Sequence, residues 1–404
     1  MKKKNCLVLI LSALLLSSCG NNVPSSSFEG SDSSSTSTTI ENSIEILSPL
    51  NGREIDLLYS QARSYLNSEN KASYLKAATQ ISKGDHVTPL NLKWKVTSNS
   101  SAKYTLEIAK DAEFKDIYKT FTGLRKSVSS LRVYNLAPGK YFYRIKGDNM
   151  SSSTDSFIIT DQVRTIYTNE RICNMRDLGG WKIGENKRVR YDYLYRSCNW
   201  SSVDKTSESQ LKGLGMRTEL DIRYSSSSKS YAKSEHPIDG INYVNLGMGQ
   251  YDAILPNSGK YYGTSHANFK NMFELLAKKE SYPLTFHCTY GADRTGTLAF
   301  LINGLLGVSY EDLCSDFELT TFYGGNKRWR SDIDAEGNFT TSGIMQDDSS
   351  NYVAFGALYQ NMMKGYGKSD GRLDNAIANY LTTVCGISSQ TLTQVKMLLI
   401  EDIK

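Results

Sequence analysis

Residues 282–306 constrain this chain more than any other stretch: Tyr-Pro-Leu-Thr-Phe-His287-Cys288-Thr289-Tyr290-Gly291-Ala292-Asp293-Arg294-Thr295-Gly296, then an apolar run through Leu301 to Leu306. A short β-type run ends in His287-Cys288, a compact loop follows, and Arg294 opens a run of helical spacing that stops before Gly307. Strand, loop and helix start point to an α/β domain and together make an anion cradle. The spacing of Cys288 and Arg294 lets successive backbone N–H groups curl around three phosphate oxygens, and the helix dipole adds partial positive charge beneath them. Cys288 is expected at the bottom of that bowl, where the field favours thiolate over thiol.

Each neighbour then has an expected task. Arg294 can hold two phosphoryl oxygens through its planar fork, more strongly as the transferring group becomes planar, which lysine cannot do. Thr289, Tyr290, Gly291 and Ala292 form the rest of the substrate-binding loop. Gly291 and Gly296 permit close backbone approach, and the Thr295 hydroxyl can bond the thiolate and ease its departure from a phosphocysteine. His287 is expected to order the loop by hydrogen bonds, since an ionised thiolate needs no base. A cysteine followed at this distance by arginine arises often by chance, and a buried cysteine at a strand end is the usual structural alternative. The His before it, the Gly within it, the Thr-Gly after it and the strand and helix flanks favour the functional reading.

This loop resembles the phosphate loop of cysteine-dependent protein tyrosine phosphatases. A second motif, Ile172-Cys173-Asn174-Met175-Arg176-Asp177-Leu178-Gly179-Gly180-Trp181, is similar to the Asn-Phe-Arg-Asp-Leu-Gly-Gly element of a bacterial tyrosine phosphatase group whose loop reads His-Cys-x-x-Gly-Lys-Asp-Arg-Thr-Gly. Leu194-Tyr195-Arg196-Ser197, the run from Gly215 to Arg223, and the run from Gly307 to Phe317 resemble further segments of that group. The resemblance covers residues 169–400 and implies a phosphatase working without metal or organic cofactor on a phosphorylated protein or an inositol phosphate. The chain departs from the group at Ala292, where relatives carry a Lys associated with extra phosphates on inositol lipids, and at Tyr290, which replaces a small residue. The first departure weakens a phosphoinositide reading; the second suits a deep, aromatic pocket for phosphotyrosine, with Tyr290 flooring or narrowing it.

A leaving oxygen must receive a proton, so a carboxylic acid should stand beside it. Asp293 lies inside the loop, and the family resemblance favours it. Asp252, 36 residues before Cys288, is the alternative acid. Asp221 and Arg223 end an expected strand and are read as bracing Arg294 or the loop through ion pairs. For Asn174, Arg176 and Asp177 a turn with paired charges and direct substrate contact stand as equal readings. Cys173, Cys198, Cys314 and Cys385 read as packing residues.

Ahead of this domain the chain changes character. Residues 1–18, with Lys2, Lys3, Lys4 and the apolar run from Leu7 to Leu16, read as a signal peptide too short to span a bilayer. The ending Leu16-Ser17-Ser18-Cys19 resembles a bacterial lipobox, which implies lipid on Cys19, a membrane anchor and an extracytoplasmic location. Residues 19–43 are a Ser/Thr-rich tether. Residues 44–165 carry alternating runs such as the one from Leu92 to Val96 and the one from Tyr104 to Ile108, which argue for an all-β sandwich. That segment resembles a fibronectin type III or immunoglobulin-like domain, here a spacer rather than a binding module. Residues 57–77 have helical spacing and suit an extra helix.

The chain therefore reads as multidomain, with the catalytic domain over residues 166–404. Its 47 Lys and Arg against 42 Asp and Glu fall to 44 against 42 once the leader is set aside, which argues against a nucleic-acid partner. The four His are scattered, which argues against a metal site. Residues 324–350 form a polar insertion whose Lys327, Arg328 and Arg330 read as a solvated loop, or as cations that steer a dianion. Helices are expected over 352–366, 372–384 and 388–403. A surface protein that only binds phosphorylated ligands is the non-enzymatic alternative.

Overall fold

A computed structural model of the chain describes residues 42–78, 87–98, 101–147, 149–224, 233–254, 262–324, 328–330 and 355–403. The leader, Cys19 and nearly all of the tether lie outside these residues, as does most of the 324–350 insertion. Among the described residues no helix is long and apolar enough to cross a membrane.

The first part of this body is β-structure. One sheet joins Ser43–Ser48, Leu90–Thr97 and Ser130–Val133; the other joins Arg53–Ile55, Asp155–Ile159, Gly139–Gly147, Tyr104–Ala109 and Ile117–Leu124, with Met150–Ser151 alongside. In Leu90–Thr97 the alternation that suggested a strand is visible as burial: Leu90, Leu92 and Trp94 point inward while Asn91, Lys93 and Lys95 face water. These residues share a single core with Tyr104, Leu106, Ile108, Tyr141, Tyr143, Ile145 and Phe157 of the second sheet.

The segment expected as an extra helix forms two, Ser60–Leu66 and Lys71–Ala77. Asn70 separates them because its side chain accepts the Ser73 N–H at 3.0 Å and caps the second. Although these helices fall within residues 44–165, their apolar residues Ala62, Tyr65 and Leu75, with Leu58 just ahead of them, pack in the core that follows the sandwich, and the Tyr65 hydroxyl donates to Glu318.

That second core surrounds a five-stranded mixed sheet, in spatial order Arg176–Asp177, Leu194–Ser197, Leu284–His287, Thr218–Asp221, Asn242–Asn245. Four strands are parallel, and the short first strand runs antiparallel at one edge. All residues of Leu284–His287 are buried, as a central parallel strand covered on both faces requires. Register aligns Ser197, His287, Asp221 and Asn245 at one level, so Cys288 emerges at the carboxyl edge, where open α/β sheets bind their ligands. The helix Asp293–Leu306 leaves that edge, is buried from Thr295 onward, and ends at Gly307 in the left-handed conformation. The C-terminal helices are Phe355–Tyr366, Leu373–Thr383 and Ser389–Leu399. The last is shorter than its apolar spacing suggested, because Ile400–Asp402 instead pairs antiparallel with Lys187–Val189.

β-unit and sheet meet at Arg164, whose buried guanidinium donates to Asp177 at 3.0 Å, Asp192 at 2.5 Å, the Asn135 carbonyl at 2.5 Å and the Tyr118 hydroxyl at 3.3 Å. Asn135 in turn accepts the Tyr167 N–H at 2.7 Å and donates to the Tyr167 carbonyl at 3.0 Å. Burial pushes Asp177 up to about 6 against the pull of Arg164.

Candidate active site

The loop from Cys288 to Ala292 is defined by where its carbonyls go. The Thr289 carbonyl accepts from Asn199, through the backbone at 3.2 Å and the side-chain amide at 3.0 Å. The Tyr290 carbonyl accepts from the Asn174 amide at 3.2 Å, and the Gly291 carbonyl from Asn174 and from Arg196, both at 2.8 Å. The Ala292 carbonyl accepts the Gly296 N–H at 2.7 Å, and the Cys288 carbonyl lies 3.2 Å from His287 Nδ1.

In a trans peptide the N–H points opposite to the carbonyl that precedes it. Four consecutive carbonyls committed to partners behind the loop therefore turn the N–H groups of Tyr290, Gly291, Ala292 and Asp293 to its other side. Those groups, with the Thr289 and Arg294 amides, find no acceptor among the described residues. The result is a nest of aligned donors at a helix start, the arrangement that binds anions.

Gly291 makes the close packing possible: its φ is +65°, and a Cβ there would stand 2.4 Å from the Ser197 carbonyl oxygen. Gly296 gives the helix room against Phe317, whose ring would lie 2.9 Å from a Cβ. Cys288 is buried at the head of the loop, and its N–H donates to the Thr295 hydroxyl at 3.0 Å. Arg294 is half-buried, and among the described residues its side chain bonds only the Thr289 hydroxyl, at 3.2 Å, which leaves most of its donors uncommitted there. Tyr290 is 62 % exposed, so it stands at the rim of the loop and does not floor a pocket.

The charges behind the loop are consumed by the fold. Arg176 is fully buried and gives Nε to Asp316 at 2.9 Å, Nη2 to the Asp316 carbonyl at 2.6 Å, and a further bond to the Asn174 side chain. Arg196 gives its other terminal nitrogen to Asp316 at 2.5 Å. Burial and the neighbouring Arg176 push Arg196 down to about 10, while the two guanidiniums hold Asp316 below the usual carboxylate range despite its burial. Arg176 and Asp177 are thus held in buried ion pairs, the arrangement that the expectation of a turn with paired charges describes. Asn174 likewise serves the loop from behind.

His287 is buried between two acceptors, with Nε2 3.0 Å from Glu219 and Nδ1 facing the Cys288 carbonyl. Asp221 does not brace Arg294. Its carboxylate takes three bonds from the Arg223 side chain at 2.6 to 3.1 Å and one from the Tyr243 hydroxyl at 3.1 Å, and it lies 4.0 Å from His287 Nδ1. Two residues apart at a strand end, Asp221 and Arg223 are close enough to satisfy each other, so neither reaches Arg294.

Asp293 opens the helix beside the loop. It accepts the Tyr251 hydroxyl at 2.7 Å and the Arg328 guanidinium at 3.0 and 3.3 Å. Asp252 falls in the 3-10 turn Tyr251–Ile254, and its side chain lies outside the described residues. Of the insertion's cations, Arg330 is tied to Glu318 at 2.7 Å and to Glu311, and Lys327 is outside the described residues. Asp316, Asn199 and Glu219 were given no role by motif reading, and Arg328, read as a solvated or steering cation, instead pairs with Asp293. Asp316 alone carried a signal, as an acidic residue inside the helical run that follows Gly307. Among the described residues no cluster of His, Cys, Asp or Glu could hold a metal ion.

The α/β sheet with a cysteine loop at its carboxyl edge defines a phosphatase-like domain. Residues 167–401 match the model of the tyrosine phosphatase family, and the chain belongs to that family. It is 27 % identical over 164 residues to a Cupriavidus necator protein named for tyrosine-protein phosphatase activity, a match that takes in 37 % of this chain and 60 % of that relative. A tyrosine-protein phosphatase from Nostoc commune is 24 % identical over 225 residues, covering 51 % of this chain and 74 % of the relative. Among solved structures, the core catalytic domain of the PP-IP phosphatase SIW14 from S. cerevisiae, in complex with citrate, is similar at a TM-score of 0.25 and 17 % identity, covering 34 % of this chain and 78 % of that one.

Proposed function

We propose that this protein hydrolyses phosphate monoesters through a phosphocysteine on Cys288, with phosphotyrosine in proteins as its substrate class. The observation that carries this reading is the ring of uncommitted N–H groups around the loop, with Cys288 at one end and a nearly unpartnered Arg294 at the other. Three non-bridging phosphoryl oxygens take up those donors, and Arg294 tightens on them as the group flattens in transfer. The Cys288 sulfur attacks phosphorus and the ester oxygen leaves. Water then attacks the phosphocysteine, releasing inorganic phosphate and restoring the thiolate.

Asp293 is the acid that protonates the leaving oxygen and the base that activates the water. Because Tyr251 and Arg328 occupy its oxygens, the Arg328 pair opens before Asp293 serves either step. Tyr290, exposed at the rim, offers a ring face against which a phosphotyrosine ring can stack. Ala292, fully buried, supplies no cation for a second phosphate.

The β-unit is read as a fibronectin type III or immunoglobulin-like spacer. Its support is the Tyr141 hydroxyl, which donates to the Ala137 carbonyl four residues upstream at 2.7 Å, as a tyrosine corner does. Lipid on Cys19 would anchor the protein outside the cytoplasm.

Phosphate release from a chromogenic aryl phosphate, compared between the native protein and Cys288→Ser, tests the enzyme assignment. Equal release by the two proteins sinks it and leaves a phospho-ligand-binding surface protein. Faster turnover of inositol phosphates than of phosphotyrosyl peptides would replace the substrate class and keep the chemistry.

A further inference from the structure

Asp293 is held by a residue remote from it in sequence. The turn Tyr251–Ile254, singled out in the sequence for Asp252, delivers the neighbouring tyrosine to the loop, and the Tyr251 hydroxyl donates to Asp293 Oδ1 at 2.7 Å. Behind that hydroxyl the ring is buried and set edge-to-face against Phe317 and Phe355, with centroids 6.1 and 6.4 Å away. Those two rings stack on each other at 4.2 Å. A tyrosine packed into an aromatic cluster has little freedom in its side-chain torsions, so its hydroxyl is a fixed point. Asp293 is itself partly exposed at the first position of its helix, and its orientation has to be set from outside.

The two carboxyl oxygens are held unequally. Oδ1 accepts from Tyr251 and from Arg328 Nε at 3.0 Å, whereas Oδ2 accepts from Arg328 Nη2 alone among the described residues, at 3.3 Å. When the Arg328 pair opens, Oδ1 keeps its tyrosine and Oδ2 is released.

We infer that Tyr251 is the positioning residue of the acid, its hydroxyl anchoring Asp293 Oδ1 so that Oδ2 is the oxygen that exchanges the proton. This rests on the reading of Asp293 as the acid of a phosphocysteine mechanism. In the neutral acid Oδ1 is the carbonyl oxygen and accepts from Tyr251, while the proton sits on Oδ2. As the bond from Cys288 sulfur to phosphorus forms and the ester bond breaks, that proton passes to the leaving oxygen. In the second step Oδ2 takes a proton from the water whose oxygen attacks phosphorus, and the Cys288 thiolate departs. Tyr251 keeps its own proton throughout. A carboxyl already oriented loses less freedom at the moment of transfer.

The test compares kcat/KM for two aryl phosphates in the native chain and in Tyr251→Phe, which keeps the buried ring and removes the hydroxyl. Phenyl phosphate expels a basic phenolate that needs the proton; 2,4-dinitrophenyl phosphate expels one that leaves as the anion. Since kcat/KM reports the steps up to that departure, phenyl phosphate should slow by about tenfold or more and the dinitrophenyl ester by less than about twofold. The ratio of the two does not depend on how much of the variant is folded. Asp293→Asn should already contain this loss, so adding Tyr251→Phe to it should slow phenyl phosphate by less than about twofold further. Equal slowing of both esters, no slowing of either, or a further tenfold loss on top of Asp293→Asn overturns the inference. Cys288→Ser assayed alongside separates the failures: release equal to that of the native chain sinks the phosphatase reading and this assignment with it. Release confined to the native chain, with the substrate ratio unchanged in Tyr251→Phe, sinks the positioning role alone.

Discussion

Behind the phosphate loop and in front of it stand arginines in opposite conditions. Arg176 and Arg196 are fully buried, share Asp316, and reach the loop through Asn174 and the Gly291 and Ala292 carbonyls. Arg294 is half-buried and bonds one threonine hydroxyl. The contrast separates donors spent on holding shape from donors kept for a ligand. A buried guanidinium whose terminal nitrogens are taken by a carboxylate and by loop carbonyls has those donors spent, whereas a partly exposed one with open donors is available to an incoming phosphate.

The first way to break the contrast is at the nucleophile. Cys288→Ser should lower turnover of an aryl phosphate by about ten-thousand-fold or more while leaving the urea midpoint almost unmoved, as expected for a group that acts in chemistry and little in packing. Asp316→Ala works on the opposite side. It strands two buried guanidiniums and should cost about 3–5 kcal/mol of unfolding free energy, read from urea denaturation. Arg294→Lys should cut kcat/KM by about a hundred- to a thousand-fold with stability held within about 0.5 kcal/mol. A destabilisation of Arg294→Lys as large as that of Asp316→Ala would erase the distinction between the two sides.

Arg328→Ala sharpens the picture from the front. Freed from its guanidinium, Asp293 has no ion pair to open before it serves, so kcat on an aryl phosphate should rise by about two- to threefold in Arg328→Ala; a kcat unchanged there but lost on removing Asp252 would transfer the acid role to Asp252.

The smallest effect concerns the joint between β-unit and sheet. Burial, reinforced by the neighbouring Asp56, pushes Asp161 up to about 7, against the pull of the Leu57 and Leu58 amides that it accepts at 2.6 and 2.9 Å. A carboxyl whose folded value is raised contributes stability that is full below its unfolded value near 4 and is lost as pH rises through 7. The melting temperature of Asp161→Asn relative to the native protein should therefore climb by about 1–3 °C between pH 5 and pH 8. A gap that stays flat would show that the joint tolerates the charge.

The loop was legible because its chemistry is local. Strand, glycine, arginine and helix follow one another within a short stretch, and a short stretch of sequence is enough to place them. The helices Ser60–Leu66 and Lys71–Ala77 were legible as helical spacing but not as part of the second core, since an apolar stripe records that a face is buried without recording against what. Asp221 and Arg223 read in sequence as a brace for Arg294 or for the loop; Arg223, two residues away, takes the Asp221 carboxylate, which also lies 4.0 Å from His287 Nδ1 beside the loop.

The order of residues from His287 to Gly296 by itself determined that a cysteine and an arginine flank a loop at a helix start, because that depends on spacing along one continuous backbone. Tertiary structure decided the rest. Which way the loop amides face is set by Asn174, Arg196 and Asn199, residues distant in sequence that claim its carbonyls. Which arginines remain open to a ligand is set by where Asp316 is carried by its helix. Both are questions of which polar groups meet across the fold, and hydrogen bonds between remote segments leave no periodic trace in the chain that makes them.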